Sequence, residues 1–287
     1  MKNTFPLLCT RSLVIGAFSL ACASFSINAQ ERIISAGANI TELFFALEAQ
    51  DQLVAVDVTS KSYVVGTQIP QVGYHRQLSA EGLMALNPTR LIGSDEMGPD
   101  TTLDLLTASN VDVMTMPSGN SIDALNQRID IIADIVEKQD RATKIKQKVA
   151  QDIANLERKK LNVQPKVMFL MINEDRPATA AGSNTPIDKI ISLSGALNPA
   201  AKEMESYKPL SYEAIISMQP DYILVSDRAW HTFGGREQIL AKLPLLAATP
   251  AGKNGSIISV PSRALVGGFG LQSLELAKTL NAQFASH

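Results

Sequence analysis

A tyrosine and an arginine two residues apart, Tyr74 and Arg76, stand in the run Val72-Gly73-Tyr74-His75-Arg76-Gln77-Leu78-Ser79-Ala80-Glu81-Gly82. A phenolate is a hard, anionic oxygen donor suited to ferric iron, and tyrosine is one of the side chains that hold it. A free tyrosine ionises near a pKa of about 10, so binding near neutral pH needs the phenolate stabilised. A metal supplies most of that, and a nearby guanidinium adds to it by favouring the charged form. Arg76 can serve if the segment is locally extended. In such a segment His75 points the opposite way, which makes it a neighbour of the donor rather than the donor. Spacing alone favours the plainer alternative, a surface tyrosine at a turn after Gly73.

Few other groups compete for a chemical role. The three histidines are His75, His231 and the terminal His287. There is no Gly-x-Ser-x-Gly elbow, no His-Glu-x-x-His, no P-loop and no dinucleotide fingerprint followed by a suitable acid. A triad could be assembled from scattered residues, but no motif points to one.

The tyrosine run opens a unit that recurs 132 residues later. Leu78-Ser79-x-Glu81, Pro88 and Ser94-Asp95 reappear as Leu210-Ser211-x-Glu213, Pro220 and Ser226-Asp227, without a gap. Apolar positions between them match in kind: Met84 with Ile216, Leu86 with Met218, Leu91 with Ile223, Ile92 with Leu224. A helix-turn-strand unit repeated in register reads as two related lobes. The first copy adds Tyr74-His75-Arg76 ahead of the shared part, and the second adds Arg228-Ala229-Trp230-His231 behind it. Related units that differ at one place mark where a ligand is read.

Alternating strands and helices carry these units. Arg32–Ser35, Leu53–Val56, Arg90–Gly93 and Val111–Met116 read as strands. Asn39 and Glu42 fit a capping-box-like start for a helix through Leu43, Phe44 and Leu47. Ser79 caps the next helix, Asp100–Ala108 is another, and Ile122, Leu125, Ile129, Ile132 and Val136 recur at helical spacing. This alternation predicts an α/β fold with a mostly parallel sheet flanked by helices in each lobe. From Asp140 to Leu161 there is no Gly or Pro, and Ala142, Ile145, Val149, Ile153 and Leu156 form one seam, so a single long helix joins the lobes. The second lobe begins at Pro165, with the strand Val167–Ile172, the helix Pro186–Leu193, the second copy of the repeat, a helix near Arg236–Ala241, the strand Ser256–Val260 and a closing helix over Gln272–Leu280. The divisions are an N-terminal lobe over residues 30–138, a linker helix over 139–162 and a C-terminal lobe over 163–287.

Residues 1–29 read as a cleavable export signal. Lys2 and Arg11 supply charge, Leu13–Ala23 is apolar or small, and Ile27-Asn28-Ala29 ends in a small residue. The apolar run is too short to span a bilayer. Leu20-Ala21-Cys22 partly resembles a lipobox, but Ser19 stands where that motif wants a branched apolar residue, so simple export ranks higher. Cys9 and Cys22 both fall in this segment, which leaves the exported chain without disulfide or thiolate ligand. Without Lys2 and Arg11 the 26 basic residues become 24, against 28 acidic ones, and that balance argues against nucleic acid as a partner. A two-lobed exported chain with a cleft and no catalytic signature is most simply a binding protein, not an enzyme.

The layout from Arg32 to Leu280 resembles the helical-linker class of periplasmic substrate-binding proteins that feed ABC importers for vitamin B12, siderophores and haem. The run from Val72 to Gly82 resembles the haem-receptor branch, as does Gly268-Phe269-Gly270. The resemblance implies haem b as transported ligand, Tyr74 as axial ligand of its iron, and a periplasmic location. It implies an inner-membrane permease dimer with its ATPase as partner, so that the membrane is met only through the permease. Glu81 and Glu213 would dock onto permease arginines; a first-turn carboxylate is also accounted for by the helix dipole alone. Around the haem, Arg76, Arg228 and Lys208 are candidates for the propionates, with Arg228 favoured because it follows a strand end. Trp230, Phe233, Met97 and Phe269 are candidates for the ring, and His75 and His231 for further contacts. Similar proteins carry a second-haem histidine after the first strand of the second lobe. Here that place reads Ile172-Asn173-Glu174-Asp175, so one haem is expected. The same fold carrying a siderophore or cobalamin, and an exported hydrolase, stay as alternatives.

Overall fold

Short apolar runs and amphipathic segments alternate along the chain, and the longer ones form the elements their period dictates. A computed structural model describes Met1 and residues 31–286 except Ser118, Lys160, Glu174 and Asp175. The residues expected to form an export signal, apart from Met1, lie outside the described residues, as do His287 and the Glu174-Asp175 pair. The first half contains β1 (Ile33–Ala36), α1 (Ala38–Ala46), β2 (Leu53–Val56), α2 (Ala80–Met84), β3 (Arg90–Gly93), α3 (Asp100–Ala108), β4 (Asp112–Thr115) and α4 (Ile122–Ile135). Its sheet is parallel, in the order β2-β1-β3-β4. After α5 (Gln139–Arg158) come β5 (Val167–Met171), β6 (Thr179–Ala181), α6 (Pro186–Leu193), β7 (Tyr207–Pro209), α7 (Tyr212–Met218), β8 (Tyr222–Ser226), α8 (Asp227–Phe233), α9 (Arg236–Lys242), α10 (Pro250–Lys253), β9 (Ile257–Val260) and α11 (Leu271–Ala285).

The second sheet runs β7-β6-β5-β8-β9 and is mixed. β5, β8 and β9 are parallel, while β6 pairs antiparallel with β5 and with β7. The two three-residue strands β6 and β7 were not expected; they add an antiparallel edge to a lobe whose other three strands are parallel. α8 was not expected either; it begins directly behind Ser226. No helix among the described residues is long and apolar enough to cross a membrane.

Strand side chains alternate faces, and the alternation sorts the core into layers. Ile34 and Leu91 face a cluster with Leu83 of α2 and Leu106 of α3. Met168, Leu170 and Ile223 face one with Ile215 of α7 and Ile239 of α9. Ile33, Ile92, Val167, Phe169 and Leu224 all join a single inner cluster, with residues of α1, α4, α5, α6 and α11. The inner faces of both sheets therefore share one core.

α5 belongs to this inner layer. Its Ala142, Val149, Ile153 and Leu156 are buried. Each fully buried Val, Ile or Leu contributes roughly 1.5–3 kcal/mol relative to staying exposed. At 1.5 Å per residue its 20 residues span about 30 Å. On its outer face Asp152 receives Lys148 at 2.9 Å and Lys278 of α11 at 3.2 Å.

The start of α1 corrects the capping-box expectation. The helix begins at Ala38, with Gly37 before it at φ 133° and no side-chain cap. Asn39 and Glu42 are buried and reach across to the C-terminal segment instead. Asn39 Nδ2 donates to the Gly267 carbonyl, and Glu42 accepts from the Leu271 and Gln272 N–H groups at 2.7 and 3.1 Å. Arg128 of α4 is also buried, donating to the carbonyls of Pro117 and Phe269. A Cβ at Gly267 or Gly270 would run into Asn39 or Glu42, so the clamp itself requires glycine there.

The internal repeat is visible in the backbone. Ser79 and Ser211 cap α2 and α7 by accepting from Gly82 and Ala214 N–H. Asn87 and Gln219, 132 residues apart, both turn left-handed at φ 47° and 49° just before Pro88 and Pro220. Thr89 N–H donates to the Arg32 carbonyl at 2.9 Å, and Asp221 N–H to that of Lys166 at 2.8 Å. β3 and β8 then occupy corresponding interior places in the two sheets.

Candidate functional site

Four strands end at one place. Ala38 follows β1, Val58 and Thr59 follow β2, Arg228 follows β8 and Ser262 follows β9. These residues, with Tyr74, Arg263 and Val266, line a cavity of about 420 Å³. Open α/β sheets bind ligands in the crevice beyond the carboxyl ends of their strands, and here both sheets contribute walls.

The first wall carries Tyr74. The chain leaving β2 doubles back so that Val72 N–H donates to the Val56 carbonyl at 2.9 Å and Val58 N–H to that of Gly73 at 2.8 Å. Gly73 sits at φ 95° with open space where a Cβ would be, so backbone conformation alone calls for glycine. These bonds hold Tyr74 over the end of β2, where 40 % of it stays exposed. His75 turns inward and is buried, its ring 4.5 Å from that of Tyr74 at 62°.

Beneath the tyrosine, His75 Nδ1 lies 2.9 Å from Asp57 Oδ2, and its Nε2 lies 3.5 Å from Glu96 Oε2. Asp57 is wholly buried. Burial alone would raise its carboxyl, but hydrogen bonds from His75, Ser60 and Thr59 outweigh it and hold the group below the ordinary carboxylate range.

Arg76 departs from expectation. The segment does not stay extended after Tyr74; it turns into a 3-10 helix over His75–Gln77. Arg76 there pairs with Glu96 and is not among the cavity-lining residues.

The second wall carries two guanidinium groups. Arg228 is exposed in the first turn of α8, with its N–H on Asp227 Oδ1 at 2.7 Å. The same oxygen accepts from Ser262 N–H at 3.1 Å and from its hydroxyl, tying the end of β8 to the turn after β9. Arg263 is anchored through Nε to Gln272 Oε1 at 3.0 Å. A hard oxygen donor thus faces a wall with two cations, an arrangement suited to an electron-poor centre carrying carboxylates.

Other expected contacts lie elsewhere. Trp230 packs against the outer core of the second sheet, and His231 is exposed in the last turn of α8. Phe233, Met97 and Phe269 are buried in the three core clusters, which corrects their reading as ring contacts. Lys208 is exposed in β7. Glu81 and Glu213 are exposed in the first turns of α2 and α7. The sequence reading missed Asp57, Thr59, Ser262 and Arg263. Each lies within three residues of a parallel strand's carboxyl end, so the strand-end rule, applied to β2 and β9 as it was to Arg228, would have found them.

Comparison with known proteins follows the same lines. The profile of the family described as "Periplasmic binding protein" matches residues 33–264. A periplasmic heme-binding protein of Vibrio cholerae is 48 % identical with a TM-score of 0.83, covering 89 % of this chain and 99 % of that one. A periplasmic heme-binding protein from Roseiflexus sp. RS-1 in apo form is 35 % identical with a TM-score of 0.82, covering 90 % and 98 %. A vitamin B12-binding protein of Yersinia pseudotuberculosis is 26 % identical over 222 residues, 77 % of each chain.

Proposed function

The chain belongs to the periplasmic binding protein family, and from that premise we propose that it binds haem in the periplasm and delivers it to an ABC permease dimer and its ATPase in the inner membrane. The observation that carries this reading is the exposed phenol of Tyr74 opposite Arg228 and Arg263 in one cavity. Haem offers what each wall wants: ferric iron for a phenolate and two propionates for two guanidiniums. Tyr74 is the axial ligand in this proposal, and Arg228 and Arg263 hold the propionates. His75 supports Tyr74 from behind. Arg76 acts at a distance through Glu96. Trp230 and His231 lie within α8 but off the cavity wall, and their part is limited to shaping it.

The similarity to heme-binding proteins of Vibrio cholerae and Roseiflexus supports haem over the cobalamin that the Yersinia relative's name carries. The protein is a carrier and not an enzyme. Residues 30–138 and 163–287 act as its two lobes, with residues 139–162 as the stiff connector.

The test is a visible absorption titration of the purified protein with hemin, and in parallel with cyanocobalamin and a ferric siderophore. Hemin should give a Soret band with the charge-transfer features of ferric tyrosinate. Tyr74→Ala should lose those features and most of the affinity while keeping its fold, because the side chain is exposed. An unchanged spectrum in the variant would remove Tyr74 as ligand, and binding of cobalamin alone would overturn haem.

A further inference from the structure

We infer that Asp57 is the positioning residue of this site, the buried group that fixes the Tyr74 wall in its working shape. The inference rests on the haem reading only for what the wall holds; the wall's construction stands on its own. Asp57 directly follows β2, and its carboxylate gathers three separate segments. Oδ1 accepts from Gly37 N–H at 3.1 Å and Ser60 Oγ at 2.8 Å. Oδ2 accepts from Thr59 N–H at 3.2 Å and sits 2.9 Å from His75 Nδ1. Thr59 Oγ1 lies 2.9 and 2.8 Å from the two oxygens.

Each partner leads to the cavity. Gly37 precedes Ala38, whose own N–H donates to Thr59 Oγ1 at 3.1 Å. Thr59 and Val58 are lining residues, and Val58 holds Gly73. His75 follows Tyr74 and packs its ring against the tyrosine ring. All four first-wall residues are tied to this carboxylate: Thr59 directly, Ala38 through Thr59, Val58 as the next residue in the chain and Tyr74 through its ring contact with His75. An ionised carboxylate only accepts, so His75 must present Nδ1–H to it, which fixes the tautomer and the ring plane on which Tyr74 rests. Replacing groups behind a ligand that set its orientation in this way costs about 10–100-fold in affinity.

Asn at position 57 keeps the shape but turns one acceptor into a donor. That donor faces Thr59 N–H and His75 Nδ1, so the histidine must adopt the other tautomer or turn away. The experiment has two arms on Asp57→Asn, with Thr59→Val as a milder variant of the same wall. In the apo-protein, amide hydrogen exchange over residues 57–60 and 72–77 should speed up by about 10-fold or more while α4 and β8 stay as they were. In the hemin titration, affinity should fall by about 10–100-fold with an altered tyrosinate charge-transfer band, Thr59→Val lying between variant and wild type. Unchanged exchange over 72–77, or a rise spread over both sheets, would overturn the inference, since Asp57 would then be idle or merely a stability residue. If wild-type protein takes no hemin, the haem reading falls, and the exchange arm still decides for or against Asp57.

Discussion

The carboxylate of Glu42 accepts a hydrogen bond from the N–H of Leu271 at 2.7 Å, across 229 residues of sequence. It is a cap supplied from one half of the molecule to the first turn of α11 in the other, where the helix dipole favours an anion. Burial nevertheless pushes the Glu42 carboxyl up to about 7, against the backbone hydrogen bonds of Gln272 and Leu271, the Tyr63 hydroxyl and the charge of Arg128. The folded protein therefore holds this proton to higher pH than the unfolded chain does. The contribution to stability is complete below the ordinary glutamate value and is lost as pH rises through about 7. It amounts to at most roughly 3 kcal/mol. Denaturant unfolding from about pH 4.5 to about pH 8 should show wild type losing stability that Glu42→Gln does not lose. Parallel pH profiles would mean that Glu42 stays ionised in the fold.

This contact also marks a boundary of what sequence can tell. Asn39 and Glu42 have the spacing of a local cap, and no pattern within one helix announces partners more than two hundred residues away. The strands, the seam of α5, Ser79 and Ser211 as caps and the 132-residue repeat were legible because periodicity and capping are local. The shared inner core was not, because the alternation of Ile33 with Ile34, or Phe169 with Leu170, says that a strand has two faces without saying which faces meet. β6 and β7 are three residues each, too short for a period. Tyr74 and Arg228 were readable as candidates and do line one cavity. Arg76 lies off the cavity wall because the 3-10 turn over His75–Gln77, which no local pattern announces, depends on Gly98, whose carbonyl accepts from Leu78 N–H at 2.8 Å and whose N–H donates to the His75 carbonyl at 2.9 Å.

The pair Arg228 and Arg263 gives a prediction about ligand chemistry. If both hold propionates, hemin dimethyl ester should bind more weakly than hemin, and Arg228→Ala with Arg263→Ala should remove that preference. Each charge-assisted hydrogen bond lost costs about 1.5–3 kcal/mol, or roughly 10–100-fold in affinity. Competitive titrations with both porphyrins measure it. An ester bound as tightly as the acid would leave the arginines without a carboxylate role.

Stoichiometry follows from residues 172–176, Ile-Asn-Glu-Asp-Arg, which contain no histidine. If Tyr74 is the ligand proposed on the first wall, one haem per chain is expected. Native mass spectrometry at excess hemin should show a single specific adduct that Tyr74→Ala removes. A saturable second haem of similar affinity would mean that another residue serves as ligand.

The last prediction rests on the repeat. Glu81 and Glu213 stand one residue after the first residue of α2 and α7, both exposed, behind the serine caps Ser79 and Ser211. The Glu213 carboxyl is held below the ordinary range by its own backbone N–H and the Ser211 hydroxyl, so it is presented as an anion. The shared inner core and α5 hold the two halves together, which keeps the separation of the two glutamates nearly constant. A permease with two-fold symmetry can offer matching arginines at that separation, one to each half. Stability should barely respond to substitution at exposed positions of this kind. Docking should weaken, most clearly at low salt, because at high salt exposed charges are already screened. Glu81→Lys with Glu213→Lys goes further than removal, since like charges would repel the permease arginines. The double variant should therefore bind hemin as wild type does but fail to deliver it to the reconstituted transporter. Haem uptake into proteoliposomes, run beside a hemin titration of the same preparation, measures both. Full uptake with normal binding would leave these glutamates as helix-start residues only.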